Sequence, residues 1–205
     1  MQFLDNTVNI PSRTPSHIAI VGCGSVGSFL SLVLAKISDK ITLIDKDTIE
    51  PHNIPTHTLI KPFLSEQPPK ALAVKLMLDA MTFANSAPLH ADVGELNFAE
   101  LDFARELEII VLATDTVQSR IAALKNIQQA TDALPALKAI IDTGIDANGY
   151  RIVVIKPEEI EQYITILQDM PERQPDQTRA CERVRNFPVI LALANAVMEV
   201  ILSLI

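Results

Sequence analysis

The chain reads as a doubly wound α/β domain, a mostly parallel sheet with helices on both faces. Three observations predict it. Short apolar runs alternate with stretches of helical spacing, the rhythm of a parallel sheet covered on both sides. The first run empties into Gly22-Cys23-Gly24-Ser25-Val26-Gly27, a loop that holds three of the chain's six glycines. Across 205 residues, 48% are hydrophobic and 20% charged, enough apolar material for one sizeable core.

Taken in order, His17 to Val21 is a short apolar run, the pattern of a strand buried on both faces. Ser25 to Ile37 carries Phe29, Leu30, Val33, Leu34 and Ile37 at helical spacing. Lys40 to Asp45 is a second strand. Residues 46–69 contain five prolines, which remove backbone donors and favour loop. Lys70 to Phe83 predicts a helix, Leu89 to Val93 a strand, and Glu108 to Ala113 another. Val117 to Ala130 is helical, Lys138 to Thr143 a strand, and Arg151 to Ile155 one more.

This divides the chain into an extension (1–16), the sheet domain (17–169), a crossover (170–187) and an apolar helix (188–205). The last segment is long enough to be weighed as a membrane span. Its polar members, Asn195, Glu199 and Ser203, recur every four residues and fall on one helix face. Glu199 near the middle of a span would cost roughly 2–3 kcal/mol, so a soluble helix packing on the domain or a dimer interface is expected. So apolar a helix has little polar surface for an exterior, which predicts a homodimer.

The net charge of −8 repels phosphate backbones and anionic lipid, so neither nucleic acid nor membrane is an expected partner. The N-terminus lacks the basic start and apolar run of a secretory signal, and a cytoplasmic location is expected. Cys23 and Cys181 are too few for a zinc site and are expected to stay reduced.

A glycine triplet between strand and helix lets the backbone turn tightly and approach a pyrophosphate at the helix N-terminus. Gly22, Gly24 and Gly27 are therefore candidate nucleotide-binding positions, in a Rossmann-like arrangement. Asp45 closes the second strand 18 residues after Gly27, where such folds place an acid on a ribose hydroxyl. A turn-forming aspartate is the alternative. Loop and acid alone would equally suit a nicotinamide dehydrogenase.

The run Asp45-Lys-Asp47-Thr-Ile-Glu50-Pro-His-Asn53 separates the two. It resembles the Asp-x-Asp-x-Ile-Glu-x-x-Asn signature of the ubiquitin-activating-enzyme superfamily, which includes the bacterial ThiF, MoeB and HesA proteins. Pro69-Lys70-Ala-Leu-Ala resembles that family's lysine at the head of the next helix. Ala113-Thr114-Asp115-Thr-Val-Gln-Ser-Arg120 resembles its strand-end Asp-x-x-x-x-Arg. The likeness runs from about His17 to Ile141 and fades beyond.

The resemblance implies ATP-dependent adenylation of the C-terminal carboxylate of a small ubiquitin-like or sulfur-carrier protein ending in Gly-Gly. It implies Mg²⁺ on Asp115, a hard cation suited to carboxylate and phosphate oxygens. Lys70 would place a point charge on the phosphates and Asn53 would donate to them. Asp45 and Asp47 would engage the ribose or shape the loop. Arg120 would tie its helix to Asp115 or to the sheet. Two plainer readings stand beside these: Lys70 as a solvated helix-start residue, and Asp115 as the N-cap of the next helix.

The pattern departs from the family in places. Thr56, followed by His57, stands where the family carries a triphosphate-binding arginine, and Arg13 is only a weak match to its N-terminal arginine. Thr56 and the short length suit a degenerate, non-catalytic scaffold or regulatory subunit as an alternative. Cys181, among Arg179, Arg183 and Arg185, is the candidate nucleophile for a later thioester or sulfur transfer, since nearby cations lower a thiol's pKa. Cys23 is expected to pack. A nicotinamide oxidoreductase is a third reading, and would need an acid–base histidine that His17, His52, His57 and His90 do not obviously supply.

Overall fold

The computed structural model describes residues 14–50, 67–81, 84–146, 149–170 and 187–204. Asn53, Thr56, His57, Arg13 and Cys181 lie outside the described residues, as does the crossover from 171 to 186.

The apolar runs form strands β1 (His17–Val21), β2 (Lys40–Ile44), β3 (Asn85–Leu89), β4 (Ile109–Leu112), β5 (Ala139–Asp146) and β6 (Gly149–Ile155). They pair in the order β3-β2-β1-β4-β5-β6. The first five are mutually parallel, and β6 returns antiparallel on β5 as a hairpin. Chain order reverses between β1 and β4, which opens a crevice at the strands' carboxyl ends.

Alternation along each strand feeds two cores. Ile18, Ile20, Ile109, Val111 and Ile141 face one side, where helices α1 (Ser25–Leu34) and α2 (Lys70–Met81) cover them. Ala19, Val21, Ile110, Leu112 and Ile140 face the other, under α3 (Val117–Gln129) and α4 (Ile160–Gln168). The doubly wound, helix-covered sheet is therefore as the sequence predicts.

The apolar C-terminal segment forms α5 (Phe187–Leu204) and packs on α1, β5 and β6. Ile190, Leu193, Val197 and Ile201 are fully buried at three- and four-residue spacing, each contributing about 1.5–3 kcal/mol by burial. Asn195, Glu199 and Ser203 are exposed on the opposite side, and Asn195 Nδ2 donates to Glu199 Oε1 at 2.9 Å. No described helix is long and apolar enough to cross a membrane.

Three local expectations are corrected. The third strand spans Asn85–Leu89, ending at the residue where the sequence places its start. It is a sheet edge on which only Ser86 is buried, so no apolar run marks it, and an edge tolerates Pro88. Val93 is buried, but in the turn region beyond the strand. α1 stops at Leu34, because Lys36 and Ile37 donate three residues back and close the helix; Ile37 still packs on the core. α4 has no counterpart in the sequence expectations, although Ile160, Tyr163, Ile164 and Leu167 carry the required spacing and are buried.

Candidate functional site

β1 delivers the chain into the glycine loop at the sheet's switch point. Gly22 adopts φ +94°, a left-handed conformation that strains other residues, and a Cβ there would lie 2.7 Å from the Ala113 carbonyl oxygen. Gly22 N–H donates to the Ile44 carbonyl at 2.8 Å, and Ala113 N–H to that of Val21 at 2.8 Å. A Cβ at Gly27 would overlap the Gly22 carbonyl, so this glycine lets α1 start against the turn. Gly24 differs. It opens α1 without a side-chain cap, and a Cβ on it would meet nothing within 4 Å. It faces a cavity of about 250 Å³ over the carboxyl ends of the strands.

Asp45 follows β2 and holds this loop in shape. Its Oδ2 accepts from Cys23 N–H at 2.6 Å and its Oδ1 from Asp47 N–H at 2.7 Å. Burial raises its pKa, and the two N–H donors and the Lys70 charge only partly oppose that. The thiol of Cys23 is fully buried and its pKa is pushed up by that burial, so it is a packing residue.

Asp47 and Lys70 are joined twice. Lys70 N–H donates to the Asp47 carbonyl at 2.8 Å, and Lys70 Nζ pairs with Asp47 Oδ2 at 2.8 Å. The Lys70 side chain is only 12% exposed, which removes the solvated-lysine reading. Burial pulls its pKa down, but the Asp47 hydrogen bond and the charges of Asp45, Asp47 and Asp115 outweigh it and the net shift is upward. The ammonium thus stays charged beside the cavity.

Asp115 stands exposed on the cavity lip after β4. The N-cap of α3 is the neighbouring Thr116, whose Oγ1 accepts from Ser119 N–H at 3.0 Å, so Asp115 is not needed there. The structure therefore gathers Gly22, Gly24, Asp45, Asp47, Lys70 and Asp115 around one cavity, with Gly27 packed behind. Among the described residues no three metal-ligating side chains cluster.

Arg120 ties α3 to the sheet. Its Nη1 donates to Asp142 Oδ1 and, at 2.7 Å, to the Thr143 carbonyl, and its Nη2 donates to the Thr114 carbonyl. Asp142, on β5, is wholly buried and also accepts from Arg151 Nη2 at 3.1 Å and from the Tyr163 hydroxyl at 2.7 Å. Of this cluster the sequence points to Arg120 alone, as a tie to Asp115 or to the sheet, and not to Asp142, Arg151 or Tyr163. A charged residue interrupting the apolar run of β5 was the one signal of Asp142, since a buried carboxylate requires partners. His17 lies at the opposite end of β1, bonded through Nε2 to Thr42 Oγ1 at 2.9 Å and packed on the Phe103 ring. It cannot serve as an acid–base group for this cavity.

The ThiF family model matches residues 13–204. The ATP-dependent ubiquitin transferase-like protein Cap2 of Pseudomonas aeruginosa (strain BWHPSA011 / Pa011) is 35% identical over 102 residues, covering 47% of this chain and 19% of Cap2. The E. coli MccB structure with ATP superposes with a TM-score of 0.62 at 19% identity, covering 93% of this chain and 57% of MccB. PaaA superposes with a TM-score of 0.62 at 15% identity, covering 93% of this chain and 65% of PaaA. The chain is thus shorter than these relatives, and the structural likenesses establish the fold. With the family model matched from residue 13 to residue 204, the chain belongs to the ThiF family.

Proposed function

We propose that this chain adenylates the C-terminal carboxylate of a small ubiquitin-like or sulfur-carrier protein, using ATP. The observation that carries the reading is the charged Lys70, largely buried against Asp47 and lining the same cavity as Gly24 and Asp115. A lysine at the head of a helix is opposed by the macrodipole, and Asp47 offsets that in the free protein as a phosphate would in the complex. Cap2 is named as an ATP-dependent ubiquitin transferase-like protein, and MccB was solved both with ATP and with an ATP analogue and MccA. Those names support ATP as nucleotide and a small peptide or protein as acceptor.

In this reading the glycine loop and the N-terminus of α1 receive the phosphates. Lys70 exchanges Asp47 for the β- and γ-phosphates. A carboxylate oxygen of the acceptor bonds to the α-phosphorus, and the bond to the bridging oxygen breaks. Pyrophosphate leaves with that electron pair. No covalent enzyme intermediate is required, so positioning and charge carry the catalysis. Exposed Asp115, with Asp47 beside Lys70, suits a Mg²⁺ ion held by one or two carboxylates and the nucleotide's phosphates. Bound there, the ion would neutralise phosphate charge. Asp45 has lone pairs left on both oxygens for ribose hydroxyls. Asn53 would donate to the phosphates, and in a later step the Cys181 thiolate would bond to the acyl carbon of the adenylate as AMP leaves, giving a thioester.

We further infer a homodimer, on the apolar residues left exposed on α2 and α5, among them Leu72, Leu76 and Leu191. A degenerate scaffold is favoured by one observation, Thr56 in place of the family's arginine. Thermal unfolding with nucleotides tests the reading. ATP-Mg²⁺ at a hundredfold excess over Kd would stabilise the fold by about 2.7 kcal/mol. Protection by NAD without protection by ATP-Mg²⁺ would remove it.

A further inference from the structure

The cavity wall is not uniform in charge. Toward β2 and α2 it carries Asp45, Asp47 and Asp92 against Lys46 and Lys70, with Asp115 after β4 between the two flanks. Lys46 Nζ is itself paired to Asp92 Oδ2 at 2.9 Å. Toward β5 and β6 the balance reverses, because the single carboxylate of Asp142 faces two guanidinium groups, those of Arg120 and Arg151.

The two arginines differ in what they leave available. Arg120 is buried and spends its donors on Asp142 and on the carbonyls of Thr143 and Thr114. The Arg151 side chain is 34% exposed and borders the cavity. Its Nη2 donates to Asp142 Oδ2, its Nη1 rests 3.7 Å from Met170 Sδ, and its Nε has no hydrogen-bond partner among the described residues. The guanidinium lies beside its cross-strand partner Gly144, where a Cβ would sit 3.7 Å from Nη2. Nε is buried, so what the cavity meets is the partly exposed end of the guanidinium, whose Nη1 and Nη2 each carry a second N–H beyond the contacts to Met170 and Asp142.

Its place in the sheet says which anion it meets. Strands are about 4.8 Å apart, so a group over β5 lies roughly 10 Å across the sheet from the loop after β1. Lys70, on α2, marks the opposite flank. In a displacement at phosphorus the entering and leaving oxygens are roughly in line. If the pyrophosphate leaves toward Lys70, the entering carboxylate comes from the β5–β6 flank.

We propose that Arg151, braced by Asp142 and Arg120, binds the carboxylate of the acyl substrate and aims it at the α-phosphorus. This rests on the adenylation reading and names the residue that recognises the second substrate. Asp142 and Arg120 are positioning residues; Arg151 alone touches the ligand.

The test uses the full chain loaded with a non-hydrolysable ATP analogue and a synthetic peptide ending in Gly-Gly, titrated by calorimetry. The peptide with a free carboxylate binds the wild type, and its C-terminally amidated form binds at least tenfold more weakly. Arg151→Met weakens the free-acid peptide tenfold or more, as expected for a lost charge-assisted contact, and leaves ATP affinity within twofold. Arg151→Lys recovers part of the loss. Arg151→Met leaves Asp142 with Arg120 and Tyr163, so the variant folds, and its melting curve checks this. Equal binding of free-acid and amidated peptides overturns the proposal, as does unchanged peptide affinity in Arg151→Met. A variant that loses ATP but not AMP affinity overturns it too, by making Arg151 a phosphate contact. Failure of the wild type to bind ATP would instead refute the adenylation reading on which it depends.

Discussion

Asp142→Asn keeps the shape of the side chain and removes the charge at the centre of the buried cluster. In the wild type both carboxylate oxygens accept from donors, Oδ1 from Arg120 and Oδ2 from Arg151 and Tyr163. The amide offers one acceptor oxygen and turns its NH₂ toward groups that are themselves donors. Arg151 is 34% exposed and can turn to solvent, so most of its loss is recovered. Arg120 is 9% exposed and cannot, although the Thr143 and Thr114 carbonyls still hold it. Breaking a buried pair by removing one partner costs about 3–5 kcal/mol, and the remaining carbonyl contacts put this case near the lower end. For a domain of this size, 3 kcal/mol corresponds to a fall in Tm of about 6–12 °C. Urea and thermal unfolding followed by circular dichroism measure it. A loss below about 1 kcal/mol would refute the claim that this carboxylate anchors α3 and β6 to β5. Arg151→Met, which leaves the Arg120–Asp142 pair in place, is expected to lose less than half as much.

Two more perturbations follow from the same geometry. At the far end of β4 the Glu108 carboxyl sits at about 2; burial would raise it, but the Lys138 ammonium and the Ser16 hydroxyl and N–H hold it down. With an unfolded value of 4.5, its contribution is complete above that pH and is lost between pH 4.5 and about 2. Glu108→Gln should therefore lower stability by roughly 2–3 kcal/mol at neutral pH and flatten the acid limb of the stability profile; an unchanged limb would contradict it. His17 adds a separate slope, since burial and then Lys40 depress its pKa below 6.5, and stability falls as pH drops through that value. Among the loop glycines the effects should divide. Gly27→Ala fails to fold because its Cβ meets the Gly22 carbonyl, whereas Gly24→Val folds normally and loses ATP. A Gly24→Val protein that binds ATP normally would place the nucleotide elsewhere.

The parts of the fold that were legible from sequence are those buried on both faces. β1, β4 and β5 announce themselves as apolar runs because both sides of each strand meet a core. β3 did not, since an edge strand with one buried residue carries no such pattern. α4 is harder to see, since it is only nine residues long and an exposed apolar residue, Ile166, blurs the spacing of its four buried positions. In the site, Gly24, Asp45, Lys70 and Asp115 were found because each lies in a local motif at the end of a strand or the start of a helix. Asp142, Arg151 and Tyr163 come from three elements and meet only in the folded chain. No spacing in the sequence encodes that meeting. Asp115 illustrates a finer limit: the sequence permitted either a cap or a ligand, and only the Thr116 geometry removed the first.

The most direct test of the proposed activity is ATP–pyrophosphate exchange in the presence of a carrier protein ending in Gly-Gly. Because adenylation is reversible, labelled pyrophosphate enters ATP only while an acyl-adenylate forms. The account predicts exchange that requires the free carboxylate, is abolished in Asp115→Ala, and is slowed roughly ten- to a hundredfold in Lys70→Ala, the worth of one charge-assisted contact in the transition state. Normal ATP binding without exchange, when supplied with a carrier that the protein binds, would contradict it and leave the degenerate scaffold, with Thr56 as the residue to restore to arginine.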